Sequence, residues 1–149
     1  MRVAIGSDHG GFELKEYLKS ELKNDFDFID EGCFSKDSVD YPLYAEKVVK
    51  EMQNKNADYG IVICTNGIGM SIAANKFKGI RCALCLNESM AFKAKTHNNA
   101  NVLSLGAENQ GRTEALQIVK TFLSTKFSNE ERHARRVNII NNFEGEWIW

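Results

Sequence analysis

The run Tyr59–Cys64, YGIVIC, leaves this chain few folds to choose from. It has no polar face, so as a strand it must be covered on both sides, the situation of an interior strand in a parallel sheet. Glycines at 67 and 69 then turn the backbone towards a helix. Around this run, short apolar stretches alternate with amphipathic ones. Val3–Ile5 reads as a buried strand ending at Gly6, and Phe12, Leu14, Tyr17, Leu18 and Leu22 form a helical stripe. Residues 25–32, DFDFIDEG, alternate as a strand, and helical spacing from Tyr44 to Met52 is entered through Asp40-Tyr41-Pro42. Further on, a helix is expected over Met70–Phe77, a strand over Ile80–Leu86, a helix over Glu88–Thr96 and a strand over Val102–Leu105. A helix from Thr113 to Leu123 and a basic amphipathic segment from Glu130 to Asn142 complete the chain. Strands alternating with helices mean βαβ units. The expected fold is α/β: a three-layer, Rossmann-like, doubly wound sheet of about five parallel strands, forming one domain over residues 1–149.

With 149 residues the chain can bury a sizeable core. Its 19 lysines and arginines against 20 acidic residues, a net charge of −1, leave no electrostatic footprint for nucleic acid or an anionic membrane. The opening MRVAIGSDHGG reaches Gly and Asp before an apolar signal region can build up, and no apolar stretch approaches the ~20 residues a bilayer requires. A cytoplasmic protein with free thiols follows as the expectation, without nucleic-acid or membrane partners.

In such a sheet ligands bind beyond the carboxyl ends of the strands. Asp8 and His9 follow the first strand, and Cys64 to Gly69 follow YGIVIC. His97 and Asn98, leaving the fourth helix, fall at the opposite side of the sheet. Either that helix end leans over the edge or His97 serves a neighbouring subunit. The turn Cys64-Thr65-Asn66-Gly67-Ile68-Gly69 gathers backbone N–H groups and a helix start around one thiol. A thiol so placed ionises more readily and suits a base or nucleophile beside an oxyanion nest. The plainer account is a strand-to-helix turn with a small buried Cys. The turn is neither a P-loop nor a full GxGxxG fingerprint. In Gly6-Ser7-Asp8-His9-Gly10-Gly11, a carboxylate and an imidazole stand where substrates bind, although Asp8 also suits a helix cap.

Arg132 and Arg136 stand four apart and share a helix face, a pair of guanidinium forks for one anion. Pairing with Glu130 and Glu131 is the competing, purely solvated arrangement. Cys82 and Cys85 lie three apart in an expected strand and face opposite ways, and no second Cys pair exists to complete a zinc site. No metal is expected, and Cys33 has no neighbour that would activate it.

Together these motifs resemble the ribose-5-phosphate isomerase B family, which shares its fold with the subunits of galactose-6-phosphate isomerase. The resemblance runs through GSDHGGFELK, DYPLYA, GIVIC with its glycine turn, SIAANKFKGIR, HNNANVLSLGA and RHARRV. It implies a cofactor-free aldose–ketose isomerase of carbohydrate metabolism, interconverting ribose 5-phosphate and ribulose 5-phosphate of the pentose phosphate pathway. Cys64 matches the family's catalytic base, and His97 the residue that opens the furanose ring, with Asp8 as helper. Asp8, His9 and Asn98 match sugar-binding positions. The turn of Thr65, Asn66, Gly67, Ile68 and Gly69 matches the nest for the enediolate oxygens, and Arg132 and Arg136 match phosphate ligands. The resemblance further implies a site at a homodimer interface, with the C-terminal helix at that interface and tetramers as a further possibility. The tail Trp147-Ile148-Trp149 is a candidate contact with a neighbour.

Two departures bear on the substrate. The family reads Cys-Gly-Thr-Gly where this chain reads Cys64-Thr65-Asn66-Gly67, which moves the hydroxyl by one residue. Two residues after Gly106, where the family often has a phosphate-contacting Arg, stands Glu108. The same chemistry on a 6-phosphohexose, allose or galactose 6-phosphate, is therefore an alternative, as is a catalytically weak sugar-phosphate binding protein.

Overall fold

The computed structural model describes residues 1–143, and the Trp147-Ile148-Trp149 tail lies outside them. The elements run β1 (Arg2–Ser7), α1 (Phe12–Leu22), β2 (Asp27–Asp30), α2 (Tyr41–Gln53), β3 (Tyr59–Cys64), α3 (Ile68–Ala74), β4 (Cys82–Leu84), α4 (Glu88–Asn98), β5 (Val102–Gly106), α5 (Arg112–Ser124) and α6 (Glu131–Asn142). The strands form one sheet in the order β2-β1-β3-β5-β4, every pair parallel. β3 is central, which is why YGIVIC carries no polar face.

Alternate residues of each strand feed separate cores, as a two-residue period requires. Val3, Ile5, Ile61, Ile63, Leu103 and Leu105 pack with α1, α4 and α5. Ala4, Val62, Cys64 and Val102 pack with α2 and α3. The sheet thus has helices on both faces. From β1 the chain crosses to β2 on one side and reaches β3 on the other, so the winding reverses between β1 and β3, where such sheets open a crevice.

Some boundaries differ from expectation. α2 begins at Tyr41, ahead of its apolar stripe, because Pro42 in the first turn has no N–H to leave unpaired. β4 contracts to three residues. Its outer edge is covered by the side chain of Asn75, which accepts from Cys82 N–H at 2.8 Å and donates to Cys82 C=O at 2.9 Å. This amide occupies backbone groups that would otherwise invite another strand. Cys82 and Cys85 go to opposite cores, as their spacing predicts, and burial pushes both thiols up to about 12.

Two fully buried lysines brace the ends of the sheet. At the carboxyl edge, Lys15 Nζ binds both Asp30 oxygens at 2.8 and 2.7 Å. Burial works to raise Asp30, but its bonds from Lys15 and Lys19 overcome this and hold the carboxyl below its ordinary range. Asp30 accepts from Gly32 N–H at 2.9 Å, and Ser7 N–H donates to Gly32 C=O at 2.6 Å. The pair thereby fixes the backbone leading into Asp8.

At the amino edge, Lys95 Nζ donates to Ala100 C=O at 3.1 Å and lies 4.0 Å from the Tyr59 ring and 5.1 Å from that of Phe122. It has no carboxylate among the described residues, and burial lowers it from 10.5 to about 8. Between those values the unfolded chain holds a proton that the folded one has shed, so stability rises as pH rises through this window. Lys95→Met is expected to stabilise the fold by on the order of 2 kcal/mol at pH 7. The gain over wild type should fade towards pH 10.5 in urea titrations run across that range. A gain independent of pH would contradict this assignment.

Candidate active site

β1, β3 and β5 end in register: Ser7 stands beside Ile63, and Cys64 beside Gly106. The segments that follow remain tied together. Asp8 N–H donates to Ile63 C=O at 3.1 Å, Ala107 N–H to Cys64 C=O at 2.8 Å, and Glu108 N–H to Thr65 C=O at 3.0 Å. Asp8, Cys64, Thr65 and Glu108 are therefore neighbours at one edge because the strands that carry them are neighbours.

Cys64 is buried, and its sulfur accepts a hydrogen bond from Gly67 N–H at 3.1 Å. That approach needs Gly67 in the left-handed region, at φ 77°, where a side chain would also strike Leu105 and Leu84. Ser104, a buried polar residue in β5, locks the turn by donating to Gly67 C=O at 2.6 Å. Asn109 adds a bond to Asn66 C=O at 2.9 Å. Asn66 itself is engaged as a cap, its Oδ1 accepting from Ile68 N–H at 3.0 Å. The Thr65 hydroxyl lies against the Asp8 turn, since a Cβ on Gly10 would collide with it. The outcome is a thiol held by one backbone N–H in a locked turn, with the Thr65 hydroxyl against the neighbouring Asp8 loop.

Asp8 is buried and does act as the cap-like acceptor its position allowed, taking Gly11 N–H at 3.0 Å on Oδ1. His9 is exposed, with Nδ1 accepting from Val39 N–H at 3.3 Å, which ties the segment before α2 to the β1 turn. Tyr41, half-exposed, lays its ring over Gly69, where any Cβ would lie 2.6 Å from Cζ. Sequence reasoning used Tyr41 only to mark a helix start. The signal was available, because an aromatic before Pro42 at a helix N-terminus sits on the same edge as the glycine turn.

His97 and Asn98 are not in this cluster. They end α4, just before β5, and Asn101 there accepts from Gly60 N–H near the start of β3 and donates to Arg81 C=O just ahead of β4. The length of β5, five residues or roughly 15 Å, separates them from Cys64. The helix end does not lean over the edge. It meets α6 instead: the His97 ring stacks on buried His133, with centroids 4.3 Å apart and planes at 30°. Arg132 and Arg136 flank His133 and are exposed. The solvated arrangement is realised in part, because Arg132 pairs with Glu130 at 3.0 Å and Arg135 with Glu131 at 3.2 Å. Arg136 has no carboxylate among the described residues. Each chain thus carries two separated clusters, Cys64 with Asp8 and Glu108 at the carboxyl edge and His97 with His133, Arg132 and Arg136 at the other.

Among the described residues no group of three or more His, Cys, Asp or Glu side chains is arranged to hold a metal ion. No described helix is long and apolar enough to cross a membrane.

Comparison with known proteins adds four findings. Residues 3–140 match the family model described as Ribose/Galactose Isomerase. A Bacillus subtilis (strain 168) protein, named only provisionally as a sugar phosphate isomerase, is 43% identical over 147 residues, covering 97% of both chains. A ribose-5-phosphate isomerase B from Clostridium thermocellum superposes with a TM-score of 0.96 at 44% identity, covering 99% of this chain and 100% of that one. A ribose 5-phosphate isomerase from Thermotoga maritima does so at 0.91 and 49%, covering 95% of this chain and 97% of that one.

Proposed function

The chain belongs to the ribose/galactose isomerase family, and from that premise we propose that it interconverts ribose 5-phosphate and ribulose 5-phosphate with Cys64 as the base. The observation that carries this reading is the Cys64 sulfur facing Gly67 N–H in a locked turn beside Asp8 and the Thr65 hydroxyl.

His97, with Asp8 as helper, opens the furanose ring, and Asp8, His9 and Asn98 hold the sugar hydroxyls. The thiolate then takes the proton from C2 of the open aldose. The C2–H electrons form the C1–C2 double bond, and negative charge moves to the carbonyl oxygen. Within the turn of Thr65, Asn66, Gly67, Ile68 and Gly69, the N–H groups not engaged with Cys64 Sγ or Asn66 Oδ1 stabilise that charge. Cys64 returns the proton to C1, and the O2 proton passes to O1. An amide cannot relay a proton and Asn66 is engaged with Ile68, so Thr65 is the hydroxyl suited to this transfer. Arg132 and Arg136 hold the phosphate and fix the unreacting end of the substrate. No step calls for a redox cofactor, because the proton shift is internally balanced.

A homodimer is part of the reading. Cys64 has Asp8 and Glu108 as charged neighbours in its own chain, and the arginines stand at the other edge of the sheet. A second copy supplying its His97–Arg136 face completes the site. The protein would work in the cytoplasm on a free sugar phosphate.

Glu108 favours one alternative. It is exposed, unpaired among the described residues and beside Thr65, so it repels a phosphate held close to β5. A longer 6-phosphohexose places its phosphate farther out. Purified protein assayed without added metal against ribose 5-phosphate, allose 6-phosphate and galactose 6-phosphate decides the matter. Turnover of the pentose phosphate is expected. Preference for a hexose phosphate replaces the substrate, and thermal stabilisation without turnover replaces the enzyme with a binding protein.

A further inference from the structure

The connection between α5 and α6 is built around one side chain. Ser128 N–H donates to Thr96 C=O at 3.2 Å, which fastens the connection to the last turn of α4, one residue before His97. The Ser128 hydroxyl lies 2.8 Å from His133 Nδ1 and accepts from Glu130 N–H at 3.3 Å. His133 in turn stacks under His97. A single exposed serine therefore touches both helices and sets one ring of the imidazole pair.

We propose that Ser128 is a positioning residue that fixes His133 as the Nε2–H tautomer and thereby holds the His97 ring in its working place. The proposal rests on the reading that His97 acts on the sugar. A hydroxyl has one proton to give, and Glu130 N–H already points at the oxygen. With Glu130 N–H on the oxygen, the hydroxyl's one proton is available to His133 Nδ1 at 2.8 Å, the arrangement in which Nδ1 is bare and the ring proton sits on Nε2.

The electrostatics agree. Burial holds His133 below its ordinary range, and positive charge from His97 on α4 and from Arg132 and Arg136 on α6 acts in the same sense, against the pull of Glu130. Two imidazolium rings 4.3 Å apart would repel, whereas an uncharged His133 keeps the stack in either protonation state of His97. His133 is thus a fixed bearing surface for the ring that meets substrate.

Imidazole ¹⁵N NMR on the full-length protein at neutral pH tests the tautomer directly. Wild type should show a bare Nδ1 and a protonated Nε2 at His133. In Ser128→Ala this preference should disappear. The His133 titration and the acid limb of the kcat–pH profile should both move to higher pH, since the bond lost favours the uncharged ring. With ribose 5-phosphate, kcat should fall roughly three- to tenfold, the worth of one neutral hydrogen bond, with little change in KM. Ser128→Thr should restore tautomer and kcat. A protonated Nδ1 in wild type, or Ser128→Ala with unchanged tautomer and kcat, overturns the proposal. So does a loss that Thr does not restore. The NMR arm needs no turnover, so failure of the isomerase reading and failure of this one are told apart.

Discussion

Cys64→Ala is expected to lower kcat for ribose 5-phosphate by on the order of a thousandfold, with KM nearly unchanged. The thiol is held at the carboxyl edge from two sides, by Gly67 N–H on its sulfur and by strand register with Gly106 on its backbone. On the proposed reading, removing it leaves the turn that faces the enediolate and the arginines that hold the phosphate in place, so binding should survive while proton transfer stops. The substitution removes one small buried atom and should cost the fold about 1 kcal/mol, which a thermal melt will register as a small shift. In D₂O, wild type should exchange solvent deuterium into recovered ribose 5-phosphate, and the variant should not. Cys64→Ser serves as the conservative control and should remain nearly as inactive, because an alcohol is a poor base at neutral pH. The other cysteines cannot stand in: Cys82 and Cys85 are pushed up to about 12 by burial, and Cys33 is buried against Ser35 C=O. Unchanged turnover in Cys64→Ala would remove the base from the proposal.

Much of this site is legible in the chain because it follows from strands. The apolar run YGIVIC announces a central strand, its carboxyl end is where a doubly wound sheet binds ligands, and Cys64 stands there. Asp8 is found by the same rule on β1. What sequence spacing leaves open is whatever depends on one helix packing against another. The His97–His133 stack joins residues 36 positions apart through a contact of α4 with α6, and no periodicity encodes it. Ser128 reads as a loop polar residue, and only the fold brings it to Thr96. Tyr41 shows the remaining kind of omission: the residue was visible, but its ring reaches Gly69 from a helix start that apolar periodicity places three residues late. The solvated alternative for the arginine helix holds for Arg132 and Arg135 and fails for Arg136, because only two carboxylates precede three arginines.

The separation of the two clusters gives the second large effect. Because β5 stands between Cys64 and His97, a chain with Cys64→Ala still presents an intact imidazole face, and a chain with His97→Ala still presents an intact thiol cleft. Each variant alone should be nearly inactive in converting ribose 5-phosphate. Co-expressed with different tags and purified through both, the mixed dimer should contain one site with both defects and one with none, and so regain about half of wild-type activity per dimer; an untagged one-to-one mixture should regain about a quarter. The doubly substituted chain gives the converse. Paired with wild type, it spoils one component of each site, so the mixed dimer should be as inactive as either single variant. Starting from ribulose 5-phosphate, the His97→Ala protein should keep more activity than in the aldose direction, because a ketose phosphorylated at O5 has no furanose ring to open and the aldehyde product closes in solution. A mixed dimer verified by both tags that regains nothing would mean that Cys64 and His97 do not meet across two chains, and since they do not meet within one, His97 would lose its role at the sugar.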